Sequence, residues 1–147
     1  PSLDHGRRFF MESLEYTRKN EAVFTSEEKV VFQIKYNSED YLTGLQLLVT
    51  VKAQNGVTIG MSQSEPFDVL KGKHEIEFQF DISNMVAGKY YYSIDVVQIN
   101  EFGAHVSYEF PLENFSFVIE EAGKQDGIMW NPRFWGNVKL NSISVIE

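Results

Sequence analysis

Residues 81–97 read DISNMVAGKYYYSIDVV, and the fold follows from how this stretch is interpreted. A strand ends at Asp81 and Ile82, and a loop containing Met85 and Gly88 follows. Tyr90, Tyr92, Ile94 and Val96 then alternate with Tyr91, Ser93, Asp95 and Val97. Successive side chains of a strand point to opposite faces, so this alternation, bounded by Asn and Gly, predicts a half-buried strand. The run before the loop is simpler still. Ile76, Phe78, Phe80 and Ile82 alternate with Glu75, Glu77, Gln79 and Asp81, which predicts a strand with one apolar face and one wet face.

The joint between these runs has a recognisable spacing. An apolar residue at 85, Gly88 three positions on and Tyr90 two further resemble the L-x-x-G-x-Y corner of many immunoglobulin-like sandwiches. There the glycine permits the bend and the tyrosine hydroxyl bonds back to nearby backbone. Met85 stands where Leu is usual. Such a corner specifies architecture and carries no chemistry.

Working outward, Lys29 to Tyr36 is a half-buried strand, with Val30, Phe32, Ile34 and Tyr36 on one side. Leu45, Leu47, Val49 and Val51 alternate over Leu45 to Ala53, and Asn55-Gly56 follows. Asn-Gly there predicts a type I′ hairpin, so that Val57 to Met61 returns antiparallel. The segment from Ser62 to Lys73 is expected to cross to the other sheet. Arg7 to Tyr16 reads as a first strand of mixed facing and Ala22 to Thr25 as a short edge. Ala104 to Phe110 reads as a hairpin arm, and Phe115, Phe117 and Ile119 mark a strand over Asn114 to Glu120. Ile128 to Gly136, IMWNPRFWG, reads as an aromatic loop, and Val138 to Val145 as a last strand. Helical periodicity and repeats of 20 to 50 residues are both missing. The chain is therefore predicted to be all-β, an antiparallel β-sandwich of about 7–9 strands with immunoglobulin-like or jelly-roll order. In the immunoglobulin-like order Lys29 to Tyr36 pairs with His74 to Ile82, while Leu45 to Ala53, Tyr90 to Ile99 and Asn114 to Glu120 form the other sheet.

Composition narrows the function classes. At 147 residues the chain is a single domain, able to bury roughly 68% of its unfolded surface. It has no cysteine, hence no disulfide framework and no thiolate nucleophile or metal site, which favours a reducing compartment. A net charge of −8 without a basic run leaves no electrostatic source for nucleic-acid binding. No apolar run reaches the 18 or so residues of a membrane span, and PSLDHGRRFF lacks a signal-peptide core. The chain starts at Pro1 rather than Met, so a fragment of a longer protein is expected. His5, His74 and His105 are scattered without carboxylates at metal-ligand spacing, so no metal or cofactor is expected. Asp95 with Glu101 or Glu109 could form a glycosidase-like pair, but 21 acidic residues make such coincidences common. No nucleophile elbow is present, and the chain is read as non-enzymatic.

Several motifs in order resemble one family. They are Phe24-x-x-Glu27-x-Lys29-Val30-x-Phe32-x-Ile34-x-Tyr36, the hairpin ending Asn55-Gly56 with Ile59 after it, and Phe78-x-Phe80 running into Met85-x-x-Gly88-x-Tyr90-Tyr91. Phe115-x-Phe117 and Trp135-Gly136-x-Val138-x-Leu140 complete the set. Together these span almost the whole chain and resemble the carboxy-terminal domain of Wzt-type proteins, the ATP-binding subunits of ABC transporters that export O-antigen and related polysaccharides. Met85 for Leu, and Lys29 where a Gly-Glu pair often precedes the strand, depart from the pattern. The resemblance implies a cytoplasmic carbohydrate-binding sandwich, fused in the full protein to a nucleotide-binding domain and held at the inner face of the bacterial inner membrane by the transporter's membrane subunit. It also implies a homodimer in which the terminal strand can be exchanged. No G-x-x-x-x-G-K-[ST] loop occurs in this chain, so ATP hydrolysis by that route would belong to the absent part.

A glycan site needs aromatic faces for sugar C–H groups and polar groups for hydroxyls, on a rigid sheet. Gln46, Thr50, Tyr91, Ser93, Asp95, Asn114 and Ser116 lie on the polar faces of the second sheet and are the candidates, with Tyr91 as platform and Asp95 and Gln46 as hydroxyl partners. Trp130 either stacks on sugar, seals an interface or caps the end of the core, and Trp135 is expected to cap the core beside the last strand. The competing reading is a structural, dimerising module without glycan contact, pairing through edges at Ala22 to Thr25 and Ile143 to Ile146.

Overall fold

The alternation that starts at Tyr90 forms the strand on which the larger sheet is built. The computed structural model describes residues 8–99, 105–109, 115–121 and 129–146. Among these residues ten strands follow in order: β1 (Phe9–Glu15), β2 (Val23–Thr25), β3 (Lys29–Ser38), β4 (Leu42–Ala53), β5 (Thr58–Gln63), β6 (Phe67–Val69), β7 (Gly72–Asp81), β8 (Gly88–Ile99), β9 (His105–Glu109) and β10 (Phe115–Glu120). A single helical turn, α1 (Pro132–Trp135), comes last. The smaller sheet has the order β1-β3-β7, and the larger runs β2-β10-β8-β4-β5 with β6 added to β4 and β9 to β8. The expected grouping of strands is therefore present. The β-sandwich is antiparallel except where β2 runs parallel to β10.

Two long strands, β4 and β8, organise the larger sheet. They pair over nine residues, Leu45 opposite Gln98 through Ala53 opposite Tyr90. The free edge of β8 takes β10 along Gly88–Tyr92 and β9 along Asp95–Ile99. The free edge of β4 takes β6 at Leu42 and Leu45 and β5 at Leu48–Lys52. Each long strand thus supports two short ones, and little of its edge is left unpaired.

The core is largely aromatic. Phe117 meets Tyr90 (5.6 Å, 25° between planes), Tyr92 (5.6 Å), Phe24 (6.4 Å) and, from the opposite sheet, Phe80 (6.4 Å). Phe32 of β3 reaches Tyr92 across the layers at 6.4 Å. The rings pack tilted, edge-on or offset, as their quadrupoles favour.

The corner forms as the spacing requires. Tyr90 is 0% exposed and its hydroxyl donates to the Val86 carbonyl oxygen at 2.6 Å. Gly88 has a φ of 154°, which a side chain would strain. Burial pushes the Tyr90 hydroxyl above its ordinary pKa.

Three local expectations need correction, and the mixed facing expected of β1 has a physical cause. The mixed pattern of β1 comes from a register shift between Met11 and Ser13. Phe9 and Met11 are buried before it, and Leu14 and Tyr16 pack on the core after it, because the extra residue switches the inward face. The Asn55-Gly56 hairpin closes with three residues rather than two: Gly56 N–H donates to Ala53 O and Ala53 N–H to Val57 O, both at 2.9 Å. Gly56 takes the left-handed position expected of this loop, with φ 87°. Val138 to Val145 is not a strand. Val138 makes one bridge to Met85, and residues 139–146 have no regular structure, since they meet no sheet edge to pair with. Nor does Trp135 cap the core, because without that strand it lies on the surface, 49% exposed and 5.6 Å from Trp130.

Candidate functional site

In β4 and β8 every second residue carries its side chain away from the aromatic core, and the pairing aligns these residues into rows. Direct cross-strand partners share a face, so the register fixes the layout. Thr58, Lys52, Tyr91 and Ser116 form one row across β5, β4, β8 and β10. Met61, Thr50 and Ser93 form the next. Gln63, Leu48 and Asp95 form the third, followed by Gln46, Val97 and Ser107. With strands about 4.8 Å apart, a four-strand row is roughly 14 Å wide.

Six of the residues singled out from sequence, Gln46, Thr50, Tyr91, Ser93, Asp95 and Ser116, therefore share this outer face. Asn114 lies outside the described residues. Trp130 belongs to a separate unit: its indole N–H donates to the Gly136 carbonyl at 2.7 Å and its ring rests against Trp135. Asn131 caps α1 by accepting from the Arg133 N–H at 3.0 Å. This clamp holds the loop in shape and engages the indole N–H internally.

The polar groups of the face are unequally committed. Asp95 accepts from Ser107 Oγ at 2.7 Å, which fixes its carboxylate while leaving acceptor capacity. Gln46 Nε2 donates to the Ser64 carbonyl at 3.0 Å, and Ser64 Oγ accepts from Leu47 N–H at 2.8 Å, so Gln46 secures the chain beside β4. That reduces its weight as a ligand group. Lys89 places Nζ 5.4 Å from the centroid of the Tyr91 ring. Beneath the face, Tyr16 and Tyr92 join their hydroxyls, and Tyr16 also donates to the Ser116 carbonyl at 3.3 Å. Burial pushes both phenols above their ordinary pKa, and both groups are proton-bearing braces under the sheet.

Sequence reasoning missed Lys52, Lys89 and the contribution of β5. The signal for Lys52 was its place in the outward alternation of β4. Its position opposite Tyr91 required the register. Among the described residues no group of three or more His, Asp or Glu is placed to hold a metal ion, and no helix is long and apolar enough to cross a membrane.

No family model and no curated protein sequence matches this chain. Solved structures do. The crystal structure of the C-terminal domain of wzt aligns over 95% of this chain and 84% of its own, with a TM-score of 0.64 at 13% identity. A CARDB domain from Pyrococcus furiosus aligns over 76% of this chain and 91% of its own, with a TM-score of 0.37 at 12% identity. The fold is that of the wzt C-terminal domain.

Proposed function

We propose that this domain is a non-catalytic carbohydrate-binding module that recognises a bacterial cell-surface polysaccharide of the O-antigen type for export by an ABC transporter. The observation that carries the reading is the outer face of the larger sheet, where one aromatic ring, Tyr91, lies among Ser116, Ser93 and Thr50 with Asp95 further along the strand. The shared fold with the wzt C-terminal domain supports it. An extended polar sheet face with an aromatic platform suits a saccharide chain laid across the strands: C–H groups on the ring, hydroxyls on the flanking side chains. Attached to a nucleotide-binding domain and a membrane subunit, the module would work at the inner face of the inner membrane and select the polymer without chemistry of its own.

The test is an amide NMR titration of the domain with the polysaccharide of its source organism. Shifts concentrated at 46–50, 91–95 and 116 are expected. Their absence at millimolar repeat-unit concentration overturns the reading.

A second reading, a dimerising module, is favoured by the carboxy-terminal segment. Leu140, Ile143, Val145 and Ile146 are all highly exposed, Ile143 at 98%. A cleft of about 200 Å³ opens between β5 and β7 beside Val138, lined by Ile59, Met61, Phe80 and Met85 among others. Exchange of this segment between two copies would cover both, and is compatible with glycan binding on the outer face.

A further inference from the structure

We propose that Asn55, at the tip of the β4–β5 hairpin, is a site of spontaneous hydrolytic modification, its side-chain amide passing through a cyclic imide to aspartate and to β-linked isoaspartate. The inference is independent of what the outer face of the sheet binds. The reaction needs a backbone nitrogen that can approach the side-chain amide carbon of the residue before it, and a side chain on the attacking residue obstructs that approach. Of the nine asparagines in the chain, Asn55 alone precedes a glycine. Asn131 precedes Pro132, whose nitrogen has no proton to release, and the other seven precede residues with side chains. Position in the fold adds to this. Gln54, Asn55, Gly56 and Val57 are all exposed, and among the described residues nothing but the chain neighbours lies within 4 Å of the point where a Cβ on Gly56 would stand. Asn37, by contrast, is held inside a sheet, in β3 between Phe10 and Lys73.

Two hydrogen bonds set the reacting groups. Asn55 Oδ1 accepts from Val57 N–H at 3.0 Å, which folds the side chain back along the Gly56 peptide and polarises its carbonyl. Gly56 N–H donates to Ala53 O at 2.9 Å, so the nucleophile is released only when the loop end opens. That opening is local, because the closure at Ala53 and Val57 lies beyond the last strand pair, Lys52 with Thr58, and can fray while the core stays packed. Hydroxide then takes the Gly56 N–H proton, the nitrogen adds to Asn55 Cγ, and the Cγ–Nδ2 bond breaks as water returns a proton to the departing ammonia. A second water opens the imide. Breaking its bond from Cγ to the Gly56 nitrogen leaves aspartate. Breaking the bond from the Asn55 main-chain carbonyl carbon to that nitrogen leaves isoaspartate, whose backbone runs through the side-chain methylene. Water is the sole co-reactant. Aspartate keeps an acceptor for Val57 N–H, whereas isoaspartate lengthens a loop closed through both Ala53 N–H and Ala53 O, and so loosens the end of the sheet at Lys52 and Thr58.

The experiment incubates the folded 147-residue chain from neutral to mildly alkaline pH and follows the tryptic peptide from Ala53 to Lys71, which contains no other asparagine. Replacement of NH2 by OH raises its mass, and backbone fragmentation tells isoaspartate from aspartate. This peptide should convert before any other asparagine-bearing peptide, faster as pH rises, and should yield both products. Asn55→Ser should abolish the conversion. Gly56→Ala should slow it roughly tenfold, the rate factor of about 1.4 kcal/mol of added barrier, with near-UV circular dichroism showing that both variants keep the fold. In the isoaspartate form, amide exchange at Ala53 and Val57 should quicken while that of Tyr90 and Tyr92 in β8 stays slow. Conversion of another asparagine first overturns the assignment, as does a Gly56→Ala chain that converts as fast as the original. So does an Asn55 that survives in the folded chain over the time in which the urea-unfolded chain loses it, since the hairpin closure would then forbid the attack.

Discussion

β10 and residues 140–146 are written in the same alternating style and end in opposite states. Phe115, Phe117 and Ile119 alternate with Ser116 and Val118 in β10, while Ile143 and Val145 alternate with Ser142 and Ser144 in the carboxy-terminal segment. Phe117 and Ile119 are almost fully buried, whereas Ile143, Val145 and Ile146 are 98%, 87% and 94% exposed. The difference is in the neighbours. β10 has β8 on one edge, β2 on the other and an aromatic layer beneath. Among the described residues, the carboxy-terminal segment is anchored at its start, where Val86 N–H donates to Asn137 O at 3.0 Å and Lys139 N–H to Asn84 O at 2.6 Å. Alternation makes a segment able to be a strand; an available edge makes it one.

The largest effect that would test this contrast is alkaline unfolding. Tyr16, Tyr36, Tyr90, Tyr92 and Tyr108 all lie on the sandwich side of the comparison, and burial raises the pKa of each above its unfolded value near 10. The folded state then holds protons that the unfolded state releases, so their contribution is complete below about pH 10 and is lost as pH rises beyond it. Phenolate absorbance should therefore appear together with loss of near-UV circular dichroism. Ionisation of these five with the fold intact would show that their burial is not maintained.

Next in size is Phe117→Ala, which removes the ring shared by Phe24, Phe80, Tyr90 and Tyr92. It should cost about 3–5 kcal/mol and lower Tm by roughly 10 °C or more. A loss below about 1 kcal/mol would mean that β10 is no better packed than the exposed segment. The smallest expected effect is that of truncation after Lys139. It should change the unfolding free energy of monomeric protein by less than about 0.5 kcal/mol, because the deleted side chains are exposed. If the segment is exchanged between copies, light scattering should show the dimer of the complete chain reduced to monomer. A large loss of stability within the monomer would instead show that these residues pack on their own sandwich.

Legibility followed the range of the interactions. β3, β4, β7 and β8 were readable because alternation is local and their inward residues supply most of the core. The corner was readable because Gly88 and Tyr90 act on backbone within a few residues. Even so, β7 buries its apolar side only partly, since it is an edge strand, and edge position cannot be read from a pattern. The outer face was half legible: alternation put Tyr91, Ser93 and Asp95 outward together, as it did Gln46 and Thr50.

The sequence by itself determined an all-β chain, the corner at Met85–Tyr90 and which side of each long strand meets the core, because these depend on periodicity and on residues near one another. Only the tertiary structure decided that Lys52 stands opposite Tyr91, that Trp130 closes on Gly136 rather than joining the sheet face, and that residues 140–146 join no strand. Register and edge availability are properties of strands distant in sequence, set when the sheets assemble, and no local pattern encodes them.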